Sequence, residues 1–194
     1  LAIADEGSKI IASNLGRAAE LIRSFKQVAV DQSSEERRSF NVDSYLSEII
    51  QNLKPQLRAY PDVDLVLDAD ANVVIDSFPG AFSQVLSNLL VNALTHAFGH
   101  DGVGQIVIRT QAFDGQVKIS FEDDGKGMDA TVRERIFEPF FTTRRGSGGS
   151  GLGMHIVYNL VTTTLSGTIR CFSNPGEGTR FDITLPIKSE TADE

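Results

Sequence analysis

Between Gly146 and Gly153 glycine fills nearly every second position, and a helix-compatible segment running to about Leu165 follows at once. Glycine weakens helices and strands through its backbone freedom, so this stretch must be a loop feeding a helix start. Backbone N–H groups in such a loop can wrap phosphates, and the following helix N-terminus adds favourable polarity. No Gly-Lys-Ser/Thr closes the run, which excludes the P-loop class. Arg144 and Arg145 are the nearest cations for a polyphosphate. Phe137, Phe140 and Phe141 are expected to anchor the loop's base and leave its tip free to act as a lid. A surface loop without any ligand is the plainer reading of the same residues.

The rest of the chain predicts an α+β two-layer sandwich preceded by a long helix. From Leu1 to about Val30 the apolar series Ile11, Leu15, Ala18, Ile22, Phe25 steps by four and three, a seam that needs a partner surface. A polar linker follows. RSFNV reads as a short strand, Asn41 or Asp43 as the cap of a helix through Leu53, and Pro55 as its kink or end. VDLVLDA and NVVID read as strands separated by a polar turn, and Pro79 as the first residue of a helix to about Phe98. GQIVIRT and QVKISFE alternate as a hairpin does; GTIRCFS and TRFDITLP form a second hairpin around NPGEG. Antiparallel pairs with interspersed helices set this apart from a doubly wound sheet. The expected boundaries are 1–32 for the stalk helix, 33–39 for the linker, 40–188 for the main domain and 189–194 for a disordered tail.

Two further segments carry chemistry. Asn88 and Asn92 lie four apart in QVLSNLLVNALTHAF and share one face of a helix whose core side is apolar. Their amide oxygens suit a hydrated Mg²⁺ that takes its other ligands from phosphates; satisfying nearby backbone groups is the structural alternative. In FEDDGKGMD a strand ends at Asp123, and Gly125 and Gly127 allow a sharp turn and close approach of a ligand. A carboxylate there accepts from an exocyclic amine such as that of adenine, whereas guanine presents a carbonyl. A simple Asp-Gly turn is the competing reading.

Composition narrows the partners. The net charge of -8 argues against binding nucleic acid or an anionic membrane, so the cations that meet a nucleotide must be local. Cys171 is the lone cysteine, which excludes an internal disulfide; its strand context reads as a small buried hydrophobe. No apolar run is long enough to span a bilayer. The chain starts at Leu1 inside a helical pattern and is expected to be part of a longer protein.

The order NLLVNA, DDGKGM, IFEPFFTT, GSGLGM, GEGTRF resembles the N, G1, F, G2 and G3 boxes of sensor histidine kinase catalytic domains, within the ATPase superfamily of gyrase B, MutL and Hsp90. ELIRSFKQVAV, RRSFNV and LKPQL likewise resemble the second dimerisation helix and the domain entry, so the resemblance covers nearly the whole chain. It implies a Bergerat-type sandwich that binds ATP and Mg²⁺, with Asn92 as metal ligand and Asn88 facing the phosphates. Asp123 would take the adenine amine in a pocket formed by Gly125, Gly127 and Met128, with Thr179 near the adenine end. Gly149, Gly151, Leu152 and Gly153 would cover the phosphates, and His96 and Thr143 would stand among the nucleotide contacts. Thr95 and His96 occupy places where many members carry Lys and Tyr, so Arg144 or Arg145 would supply the missing cation.

Hydrolytic relatives usually carry a water-activating glutamate where this chain has Asn88, which cannot act as a base at neutral pH. The resemblance therefore implies a kinase that passes the γ-phosphoryl group to a histidine upstream of Leu1, for relay to a response regulator aspartate. None of His96, His100 and His155 has the His-Glu/Asp…Pro context of a phosphoacceptor. The implied partners are a second copy through the N-terminal helix and a receiver domain; the implied location is the cytoplasm. A degenerate nucleotide-binding domain and an ATP-driven clamp of the gyrase or MutL type remain as alternatives.

Overall fold

The computed structural model describes residues 36–69, 71–98, 102–143 and 150–187. The expected stalk helix, the linker before residue 36, the tail, Arg144, Arg145 and Gly149 lie outside the described residues.

In chain order the elements are β1 (Arg38–Asn41), α1 (Val42–Leu57), β2 (Val63–Ala69), β3 (Val74–Ser77), α2 (Pro79–Asn92), β4 (Gly104–Phe113) and β5 (Gln116–Asp123). They continue with α3 (Ala130–Arg135), α4 (Gly153–Asn159), β6 (Thr168–Ser173) and β7 (Thr179–Pro186). Helices α2 and α4 each run on into a π-helical segment, Ala93–Phe98 and Leu160–Thr164.

Five strands form the main sheet in the order β2-β4-β5-β7-β6, while β1 and β3 pair separately. Both hairpins form where alternation predicts them, β4 with β5 across Asp114–Gly115 and β6 with β7 around NPGEG. The grouping into antiparallel pairs fails at one edge: β2 runs parallel to β4, Val63 opposite Gly104. Its sequence neighbour β3 is antiparallel to β1 instead. Helix α2 lies between β2 and β4 in the chain, and such a crossover is what a parallel pair requires.

Alternation along β7 shows how the sheet finds its core. Thr179, Phe181, Ile183 and Leu185 are buried, and the residues between them face outward. Ile106 and Ile108 of β4 and Val117, Ile119 and Phe121 of β5 join the same face. Against it pack Leu46 and Ile49 of α1, Phe82, Val85, Leu86, Leu89 and Leu90 of α2, and Met154 and Val157 of α4. Each fully buried large side chain contributes about 2 kcal/mol. The opposite face is polar and crossed by ion pairs, Arg109 to Glu122 at 2.7 Å and Lys118 to Asp182 at 2.8 Å. The result is a helical layer on one side of a sheet whose other side meets water.

Asn41 caps α1 by accepting from the Ser44 N–H at 2.9 Å. Asp43, one residue into the helix, ties it to the sheet by accepting from Thr110 Oγ1 (2.8 Å) and the Asn72 N–H (2.6 Å). The helix does not stop at Pro55 but runs to Leu57. Pro55 sits on the exposed side of the last turn, where the carbonyl it leaves unpaired can face solvent. Leu53 is buried and Leu57 packs against the core, which holds that turn in place.

Candidate functional site

The helical layer and the sheet part at one end to leave a cavity of about 250 Å³. Its floor is Asp123, the last residue of β5, opposite Thr179 in the β5–β7 register. Phe121 and Phe181, also opposite each other, are buried at this end of the sheet, and Asp123 is only 8% exposed. Burial raises its carboxyl pKa from an ordinary 3.8 to about 6. The Gly125 and Thr179 backbone N–H groups hold that rise in check, and Asp124 adds slightly to it. Asp123 Oδ1 accepts from the Gly125 N–H at 3.1 Å.

The turn after Asp123 is clamped to the β6–β7 hairpin. Ser173 Oγ accepts from the Met128 N–H at 2.9 Å and donates to the Gly178 carbonyl at 2.7 Å. Arg133 of α3 donates to the Ser173 carbonyl at 2.9 Å. Gly127 has φ +65°, and a β-carbon there would collide with the Asn174 carbonyl oxygen. Only glycine fits both the backbone conformation and the space. Met128 and Gly127 consequently form one cavity wall.

Helix α2 forms the opposite wall. Asn92 is its last α-helical residue, and the chain then widens into a π turn, a feature frequent at functional sites. Asn92, Ala93, His96 and Ala97 all line the cavity. His96 Nδ1 stands 3.5 Å from Thr143 Oγ1, which links this wall to the beginning of the glycine-rich segment.

Phe141, Thr142, Thr143 and Gly151 close the rim. The Arg135 guanidinium covers the Phe141 ring at 4.5 Å and pairs with Glu138 at 2.9 Å. Gly151, at φ +69°, lies against the Phe140 and Phe141 backbone, and a β-carbon there would be 2.6 Å from the Phe140 carbonyl carbon. Gly151 thus touches the stretch of chain that precedes the glycine-rich segment. Its base is fastened by Phe137, whose ring packs on Tyr158 and Phe181 and whose carbonyl accepts from His155 Nδ1 at 3.1 Å. The expected anchoring holds for Phe137 and Phe141 but not for Phe140, which is 62% exposed at φ +64°. The reversed backbone at Phe140 turns its ring away from the body.

One cavity therefore gathers Asn92, His96, Asp123, Gly127, Met128, Thr143, Gly151 and Thr179. Gly125 lies beneath the wall against Ala97, while Leu152 and Gly153 start α4 behind the rim. Asn88 is one turn back from Asn92 and off the wall; its Nδ2 is buried without a hydrogen-bond partner among the described residues. Residues the motifs did not single out complete the lining: Lys126, Asp129, Val132, Ile136 and Met154. Lys126 lies inside DDGKGM, and its position between two motif glycines was the available signal. Cys171, on β6 opposite Phe181, is partly buried, and burial pushes its thiol up to about 12, in keeping with an inert packing role.

Among the described residues no group of three or more His, Cys, Asp or Glu side chains is arranged to hold a metal. Nor is any helix of them long and apolar enough to cross a membrane.

Residues 79–189 match the family model for histidine kinase-, DNA gyrase B- and HSP90-like ATPases. The chain is 33% identical over 181 residues to sensor histidine kinase ZraS of Klebsiella oxytoca, covering 81% of this chain and 38% of that protein. The nucleotide-free catalytic domain of histidine kinase ThkA superposes with a TM-score of 0.67 at 27% identity, covering 78% of this chain and 96% of that one. ThkA in complex with the response regulator TrrA gives a TM-score of 0.71 at 23% identity, covering 94% of this chain and 51% of that one.

Proposed function

Because this chain belongs to the histidine kinase-, DNA gyrase B- and HSP90-like ATPase family, we propose that its cavity binds Mg-ATP for transfer of the γ-phosphoryl group to a histidine. The supporting observation is a buried carboxylate, Asp123, facing an amide-bearing helix, Asn92, across a single cavity rimmed by the glycine-rich segment. Asp123 accepts from the adenine amine, in a pocket walled by Gly127 and Met128 with Thr179 beside it. Asn92 and His96 face the phosphates, while Thr143, Arg144, Arg145, Gly149, Gly151, Leu152 and Gly153 belong to the closing segment.

The residues fit a divalent ion in a restricted sense. Asn92 offers one amide oxygen, and the buried Nδ2 of Asn88 is a donor in want of an acceptor such as a phosphate oxygen or ordered water. Mg²⁺ held by Asn92 would take its other ligands from phosphates and water, and would neutralise charge on the β- and γ-oxygens.

The protein's part is positioning and exclusion of water. The P–O bond to ADP breaks, a P–N bond forms, and the imidazole proton leaves. Asn88, standing where a water-activating base would be needed, offers no route to hydrolysis. The acceptor is a histidine outside the three in this chain, and onward transfer is to a response regulator, as the pairing of ThkA with TrrA supports. Dimerisation through residues 1–32 and a cytoplasmic setting complete the reading.

Titration of the chain with ATP and GTP, together with steady-state turnover, tests this. ATP should bind in preference to GTP, with phosphate release near background. Absence of ATP binding would overturn the nucleotide reading, and sustained hydrolysis would favour the clamp.

A further inference from the structure

Lys126, in the turn that follows Asp123, lines the cavity, and it is the one lysine or arginine among the described lining residues. Its backbone is held from two sides: its N–H donates to the Ala97 carbonyl (3.3 Å) and its carbonyl accepts from the Gly176 N–H (2.7 Å). The first bond ties it to the same π turn that carries His96, so the lysine stem starts beside the wall that Asn92 and His96 form.

The nearby carboxylates have other partners. Asp123 accepts from the Gly125 N–H, Asp124 from the Gln105 N–H (2.7 Å) and Asp129 from the Val132 N–H (2.9 Å). None of them pairs with Lys126 among the described residues, and its side chain is exposed. With Asp123 and Asp129 on its walls, the cavity would repel a polyanion unless a cation offsets them. Lysine is suited to this as a point charge on a flexible stem.

Resting on the nucleotide reading above, we propose that Lys126 is the phosphate-directed cation of this cavity, a positioning residue that makes it prefer nucleoside polyphosphates to nucleosides.

Calorimetric titration of the whole chain with ATP, ADP and adenosine, for wild type, Lys126→Met and Lys126→Arg, tests the assignment. Methionine keeps the aliphatic stem and removes the charge. It should weaken ATP binding about tenfold, ADP less, and adenosine by under about twofold. The dependence of ATP affinity on salt should become shallower, and arginine should restore most of the loss. Equal losses for ATP and adenosine, or none for either, would overturn the assignment. Should wild type bind none of the three ligands, the nucleotide reading falls instead. The side chain is exposed, so Lys126→Met should melt with wild type; Lys126→Gln serves as the second neutral variant.

Discussion

Replacing Asp123 by asparagine should stabilise the nucleotide-free domain at neutral pH while removing its hold on adenine. Asp123 is 8% exposed, and burial lifts its pKa from 3.8 to about 6. At about 1.4 kcal/mol per unit, keeping this carboxylate ionised costs the folded state up to about 3 kcal/mol. The sign follows from linkage. The folded-state pKa is the higher one, so the folded state binds more protons, and stability falls as pH rises from about 4 to 6 and levels off above. Asparagine does not titrate. Its oxygen can still accept from the Gly125 N–H, but its NH₂ group has no assured acceptor, which returns about 1 kcal/mol or more. The expected net gain is about 1–2 kcal/mol at pH 7.5, vanishing or reversing near pH 4. Urea unfolding of both proteins between pH 4 and 7.5 measures the difference, in which other titrating groups cancel. A difference that does not change with pH would refute the buried-charge argument. Adding ATP separates the second half of the claim. Wild type should gain stability with ATP, and the variant should gain little. A variant stabilised as much as wild type would remove Asp123 from the adenine pocket.

Other substitutions probe the walls. Gly127→Ala should lose about 2–4 kcal/mol of stability in thermal melting, because φ +65° and the Asn174 carbonyl both exclude a β-carbon. Gly153→Ala, at an exposed helix start with open space around it, is the control and should be near neutral. Asn92→Ala should weaken ATP chiefly when magnesium is present, by about tenfold or more, in titrations with and without EDTA. An equal loss in both would remove it as the metal ligand.

Much of this arrangement was legible in the sequence because its signals are local. The β4–β5 and β6–β7 hairpins follow from alternation and turn residues only a few positions apart, and Pro79 opens α2 through its own fixed φ. Pairing across a long crossover is a different matter. The pattern of β2 says that it is a strand, but its choice of β4 over β3 depends on where α2 packs. Pro55 does not end the helix for a related reason: its cost there depends on which side of the last turn faces water, and tertiary packing decides that. Asn92, Asp123 and Gly127 could be picked out because each belongs to a short motif whose order along the chain is legible in the sequence. Lys126 stood out less: its place between two motif glycines is a weak signal until the hairpin and the π turn bring it to the cavity.

The touching backbones of Gly151 and Phe140 have a consequence for how such domains diversify. With entry and exit cinched together, residues added or removed between them change neither the spacing of α3 and α4 nor the sheet beneath. Substitutions at Phe141, Thr142 or Thr143 can therefore reshape the rim while the Asp123 end of the cavity stays as it is.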